Sequence, residues 1–226
     1  MPLRLTPRLR LAVAAATAVL SLGAVTGCEV IPTDQQTGDR NAERAGKDAA
    51  DTGDSLSMLK KLTVAKPVSM RGYSRDRFPH WRSTGDNCDV RDSVLKRDGT
   101  KIKTKGCNVV SGNWTSVYDG VKFTDPAKVD VDHMVPLANA WRSGAASWTD
   151  VKRSDFANDL DDPQLIAVSA ASNRAKGDQD PSTWKPQRTD IWCQYAQDWI
   201  AVKSHWKLSV TSAEKDALTE MLGKCT

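Results

Sequence analysis

One of the chain's three histidines, His133, stands beside Asp132 in the run VDVDHMVP at residues 129–136. Val129 and Val131 alternate with Asp130 and Asp132, the period of a half-buried strand, and Pro136 closes the run. Neighbours at a strand end point to opposite sides, so one of the pair can hold a cation while the other faces a substrate beside it. Further on, the apolar stretch LIAVS (165–169) leads into SNRAKGD (172–178), which reads as a helix or helical turn carrying Asn173. Asp132 and Asn173 offer hard oxygen ligands, which suit Mg²⁺ or Mn²⁺ better than an all-imidazole or thiolate zinc site. His133 beside such an ion is the natural general base at neutral pH. That set fits phosphodiester hydrolysis: the imidazole takes a proton from the attacking water, and the ion offsets charge on the transition state and the departing oxygen. An Asp–His pair alone is more often incidental. The Asn-x-x-Lys-Gly-Asp segment, at a fitting distance behind an apolar strand, is what gives the pair weight.

The elements that must position these residues begin well after the amino terminus. Arg4, Arg8 and Arg10 precede an apolar stretch from Leu11 to Val25, a signal-peptide layout too short for a comfortable membrane span. The small residues run directly into Cys28 and resemble a bacterial lipobox, so Cys28 is expected to be lipidated; ordinary secretion with cleavage nearby is the alternative. Residues 1–28 are thus a leader. Residues 29–61, polar and free of aromatics, read as a flexible tether, with an exposed helix around 41–50 as the other reading. A single domain is expected over 62–226, which holds all the tryptophans. The formal charge of +4 includes the three leader arginines. The remainder is close to neutral and the domain mildly basic, which permits a polyanionic partner without requiring one.

Five cysteines leave one odd thiol in an exported chain; giving Cys28 to lipid leaves an even set suited to an oxidising compartment. Residues 190–206 place Ile191, Tyr195, Trp199 and Val202 on one helical stripe, and Thr211-Ser212-Ala213-Glu214 is a capping box opening a second helix. Joined by a short loop, the two run antiparallel, which brings Cys193 to Cys225 and leaves Cys88 to Cys107. Elsewhere, Asp89 is a candidate N-cap for a short helix to residue 98, and residues 107–124 read as a hairpin turning at Asp119-Gly120.

The segments RDRFPHW, CDVRDSVL, SGNWTSVYDG, DHMVPLANAWRSGA, FANDL and SNRAKGDQDP together resemble exported actinobacterial HNH-family endonucleases of the DUF1524 type, over Tyr73 to Cys225. The resemblance implies an α+β fold, with an HNH ββα-metal core, a flanking hairpin and a C-terminal antiparallel helix pair. It also implies endonuclease activity that leaves 5′-phosphate and 3′-hydroxyl ends. The sequence shows no zinc finger, helix-turn-helix or long basic arm, so little sequence selectivity is expected. On it Asp132 and Asn173 are metal ligands, His133 is the general base, and Lys176 lies where a basic residue approaches phosphate. The middle Asn of the motif, which steadies the base, has Gln164 or Asn158 as candidates. Arg142 and Arg174 are further phosphate contacts, a solvated surface arginine being the equal reading. The expected partners are DNA, with RNA left open, and the membrane through a lipid anchor only; the chain is expected to act as a monomer outside the cytoplasm. Trp141 and Trp148 flank the insertion at 138–163 and read first as core, second as stacking platforms. His80 reads as a half-buried packing residue and His205 as a surface group at a helix end.

Overall fold

A run of alternating valines and aspartates can be a strand only if something covers its two unlike faces. In the computed structural model, which describes residues 51–225, two helices do so. Strand β6 (Val129–His133) pairs antiparallel with β7 (Leu165–Ser169), with Asp132 opposite Ile166 and His133 opposite Leu165. On one face Val129, Val131, Leu165 and Ala167 pack with Val90, Val94 and Leu95 of helix α2 (Val90–Asp98). On the other, α5 (Ala170–Lys176) follows β7 directly and meets Asp130 and Asp132. Asp89 caps α2 by accepting from the Asp92 N–H, as expected.

α5 is pinned at both ends. Ser169 accepts from the Ser172 N–H, and the hydroxyls of both serines donate to Asp119. At the far end Gly177, with φ of 54°, supplies the left-handed residue that ends the helix, its N–H bonded to the Asn173 carbonyl. The chain thereby reverses at Asp178.

Ahead of this unit lie the pair β1 (Ser83–Gly85) and β2 (Cys88–Asp89) and a sheet of β3 (Thr100–Lys105), β4 (Asn108–Thr115) and β5 (Lys122–Phe123). The hairpin expected over 107–124 is the β4–β5 pair, closed by bonds between Ser116 and both Gly120 and Val121. The longer partner of β4 is β3, which the sequence reading lacked. Its sequence TKIKTK offers one apolar side chain, and it is a strand because β4 pairs with it.

The insertion between β6 and β7 is ordered as α3 (Leu137–Arg142) and α4 (Asp150–Ala157). Buried Arg153 ties it together by donating to the carbonyls of Arg77, Ala145 and Trp148. Trp141 belongs to the larger core, and Trp148 packs against it on Phe156 and Trp206. Helices α6 (Trp192–His205) and α7 (Ser212–Leu222) close the molecule. Both halves of the Thr211–Glu214 capping box are present, and the bonds Cys88–Cys107 and Cys193–Cys225 are those the helix geometry implied.

One boundary shifts. Residues 51–61 are helical (α1), and Leu59 and Leu62 sit in the larger core, so the folded part starts before residue 62. Apolar anchoring by a few leucines overrode the polar composition around them. The leader, Cys28, and the tether and helix readings at 29–50 lie outside the described residues.

Candidate active site

The end of β6, the start of α3 and one side of α5 enclose a cleft of about 240 Å³, whose lining includes Tyr73, Arg75, Asp132, His133, Asn173 and Arg174. The three residues that the sequence brought forward thus meet in one place.

His133 is buried, and its Nε2 lies 3.0 Å from the carbonyl oxygen of Ala157. A carbonyl only accepts, so Nε2 carries the hydrogen and Nδ1 keeps its lone pair. Burial lowers the imidazole's pKa to about 3, against the Ala157 bond, and the nearby charges of Arg75, His80 and Lys176 push the same way. The ring is therefore neutral wherever the protein would work. Trp81 lies tilted against it, with centroids 5.8 Å apart, and does so at a φ of 60°. That conformation is costly for a bulky residue and is held by its surroundings. His80, half-buried as expected, donates from Nδ1 to the Phe78 carbonyl at 2.9 Å; its ring stands 6.1 Å from that of His133.

Both candidates for the steadying amide are engaged, neither with the imidazole itself. Asn158 accepts from the Arg82 N–H and donates to the carbonyls of Pro79 and Ser154. It thereby joins the His80–Trp81 loop to the end of α4, next to the carbonyl that holds His133. Gln164, fully buried, bonds both the N–H and the carbonyl of Val135. It fixes the chain just beyond the base.

Asp132 Oδ2 accepts from the Tyr118 hydroxyl at 2.8 Å and from Lys176 Nζ at 2.7 Å. Burial pushes this carboxyl up, opposed chiefly by Lys176. Asn173 spends Nδ2 on Asp130 at 3.0 Å, which leaves its Oδ1 for the cleft. One carboxylate oxygen and one amide oxygen are a sparse, hard donor set. They fit an ion that keeps several waters and completes its shell with substrate phosphate, as Mg²⁺ does. A closed zinc site needs more: among the described residues no three His, Cys, Asp or Glu side chains converge on one point.

Two expected phosphate contacts are placed otherwise. Lys176 is completely buried, its amine bound to Asp132 and to the His133 carbonyl. The guanidinium of Arg142 is taken by the carboxylate and carbonyl of Asp178. Arg174 does line the cleft, and so does Arg75, which the sequence reading passed over. Arg77, Arg82, Arg97, Arg142, Arg153 and Arg188 each meet an aspartate. Among the described residues Arg71, Arg75, Arg91 and Arg174 have no such partner; Arg91 donates to the carbonyls of Pro126 and Val129, and of the four Arg75 and Arg174 line the cleft. The signal for Arg75 lay in RDRFPHW, but sequence could not tell which of its two arginines was uncommitted.

Residues 87–221 match the family model for the C-terminal domain of GmrSD restriction endonucleases, and the chain belongs to that family. The match takes in Asp132, His133 and Asn173; Tyr73 and Arg75 lie ahead of it. The chain is also similar to an uncharacterized secreted protein of Arthroderma benhamiae, with 55% identity over 170 residues, covering 75% of this chain and 83% of the relative. No solved structure matches. The kinship with nucleases expected from the motifs holds at the level of this family.

Proposed function

We propose that the chain is an exported, metal-dependent endonuclease of the HNH ββα-metal kind, hydrolysing phosphodiester bonds in DNA with little sequence selectivity. RNA presents the same phosphate chemistry and is the second substrate to test. The observation that carries the reading is the cleft: two oxygen donors, a neutral imidazole with a free Nδ1, and two arginines without acidic partners share one wall system. The family supports an enzyme that acts on nucleic acid. The two disulfides and the relative's description as secreted support export; lipidation at Cys28 and action as a monomer belong to the same proposal.

In this scheme Arg75 and Arg174 hold the phosphodiester by charge-assisted hydrogen bonds. Asp132 and Asn173 hold a divalent ion, Mg²⁺ or Mn²⁺, which supplies Lewis-acid stabilisation of the pentacoordinate phosphorus and the leaving 3′ oxygen. His133 accepts the water's proton at Nδ1, and the Ala157 carbonyl, bonded to Nε2–H, steadies the imidazolium that forms. A conjugate acid this weak in the free protein needs help to hold that proton. Burial is the chief cause of the low value and Arg75 a lesser one; an anionic phosphodiester beside the ring offsets Arg75 and directly favours the imidazolium. Asn158 and Gln164 keep the base aimed without touching it.

The test is digestion of plasmid DNA and of RNA by the mature chain with disulfides intact, in Mg²⁺, Mn²⁺, Zn²⁺ or EDTA. Cleavage in Mg²⁺ or Mn²⁺, abolished by EDTA and leaving 5′-phosphate ends, is the expected result. No cleavage by folded protein with any ion would remove the enzyme reading and leave a nucleic-acid-binding domain in its place.

A further inference from the structure

The scheme above gives Lys176 nothing to do, yet a fully buried ammonium is costly unless it is paired and bonded. Lys176 follows Asn173 by one helical turn, so α5 delivers both to the same face of β6, Asn173 to Asp130 and Lys176 to Asp132. The amine bonds Asp132 Oδ2 at 2.7 Å and the His133 carbonyl at 2.8 Å, and stands 5.9 Å from the centre of the Trp199 ring. Tyr118 donates to that same carboxylate oxygen. Two side-chain donors occupy Oδ2, and the His133 N–H also reaches the carboxylate, so at most Oδ1 is left for an ion. The ammonium also cancels the charge of Asp132, and Asn173 brings none.

On the metal-dependent reading proposed above, we infer that Lys176 and Tyr118 are positioning residues that make Asp132 a one-oxygen ligand, so that the metal-binding set carries no net negative charge of its own beside the two arginines of the cleft. Such a site attracts a divalent ion weakly on its own. The substrate phosphate supplies the missing negative charge, so ion and substrate are taken up together. Lys176 acts through Asp132 and does not touch the phosphate.

A lysine that merely props up the fold and one that restrains Asp132 predict opposite signs for metal affinity. The experiment is calorimetric titration of Mn²⁺ into the mature chain, without nucleic acid, for wild type, Lys176→Met and Tyr118→Phe, alongside plasmid cleavage by each. Freed of the ammonium, Asp132 should bind Mn²⁺ about tenfold or more tightly, the scale on which a neighbouring opposite charge shifts a carboxylate's proton affinity; the titrations are run at alkaline pH, because the buried carboxyl then also holds a proton more strongly. Cleavage should fall in the same variant. Tyr118→Phe removes no charge and little volume, so it should tighten Mn²⁺ binding by a smaller factor, and it carries the test alone if Lys176→Met does not fold. Unchanged or weaker Mn²⁺ binding in the folded variants overturns the inference and leaves the nuclease reading intact. If wild-type protein binds no Mn²⁺ even with a phosphorothioate oligonucleotide present, the metal reading falls and takes the inference with it.

Discussion

Among the described residues two lysine–carboxylate pairs are buried, and they are built differently. Lys203 Nζ meets Glu214 at 3.0 Å and also bonds Asn139, Ser143 and the Ser209 carbonyl, each at 2.8 Å. Glu214 accepts from the Trp199 indole through one oxygen and from the Thr211 N–H through the other. Both oxygens of Glu214 are taken, the pocket that it borders holds only about 20 Å³, and the network ties α3, α6 and α7 together. Lys176–Asp132 lies near the same tryptophan, whose ring centre is 5.8 Å from Lys203 and 5.9 Å from Lys176. There the carboxylate reaches a cleft, next to an imidazole and an amide that also reach it. A closed buried pair fixes geometry; one left open on one side keeps an oxygen for something else. Burial of charge alone would not have told them apart.

The comparison can be broken at either pair. The largest expected effect is on catalysis: Asn173→Ala should cut plasmid cleavage by about a hundredfold or more, the several kcal/mol that a bound ion contributes, with thermal unfolding little changed. Lys203→Met should do the reverse. It strands Glu214 and should cost about 3–5 kcal/mol in urea unfolding; Mn²⁺ affinity of the folded protein should stay at the wild-type value. Equal effects of the two substitutions on Mn²⁺ binding would erase the distinction.

A third test uses pH. The folded pKa of His133, about 3, lies below its ordinary value near 6.5, so between these limits the unfolded chain binds the extra proton. Stability therefore rises with pH across that window, is complete above about 6.5, and drains away as pH falls toward 3, by up to about 5 kcal/mol. His133→Gln should flatten urea-unfolding free energies measured from pH 4 to 7. At the substrate wall, Arg75→Ala should raise KM about tenfold and reduce the salt slope of DNA binding by about one. The same change at Arg142, bound to Asp178, should do much less. The smallest effect concerns neither pair. Burial raises Asp198 on α6 to about 6, so its ionisation costs stability, at most about 3 kcal/mol, as pH climbs from about 4 to about 6. The side chain is only partly buried, and Asp198→Asn should recover about 1 kcal/mol of that at about pH 7.5.

Much of this was legible in the sequence because it depends on local signals. The strands of 129–133 and 165–169, the Asp89 and Thr211 caps and the antiparallel helix pair each show a period or a cap, and the disulfides followed from the helices. Strand β3 was not legible, since its alternation of lysine and threonine carries no apolar face and its pairing is set by β4. Nor could α1 be seen, because Leu59 and Leu62 are anchors only when a core receives them. The fate of the basic residues was hidden for a related reason. Lysine is solvated by default, and only the crossing of α5 over β6 places Lys176 under Asp132. Whether an arginine is paired depends likewise on aspartates far along the chain, which separates Arg75 from Arg77 and Arg174 from Arg142.

The central claim is that His133 activates water in a metal-assisted cut. Its most direct test is single-turnover cleavage of a duplex oligonucleotide by His133→Ala in saturating Mn²⁺, with folding and Mn²⁺ affinity checked in the same preparation. The account predicts intact binding of the ion and a rate lower by about 10²–10⁴. A folded, Mn²⁺-binding His133→Ala protein that cuts at the wild-type rate would contradict it.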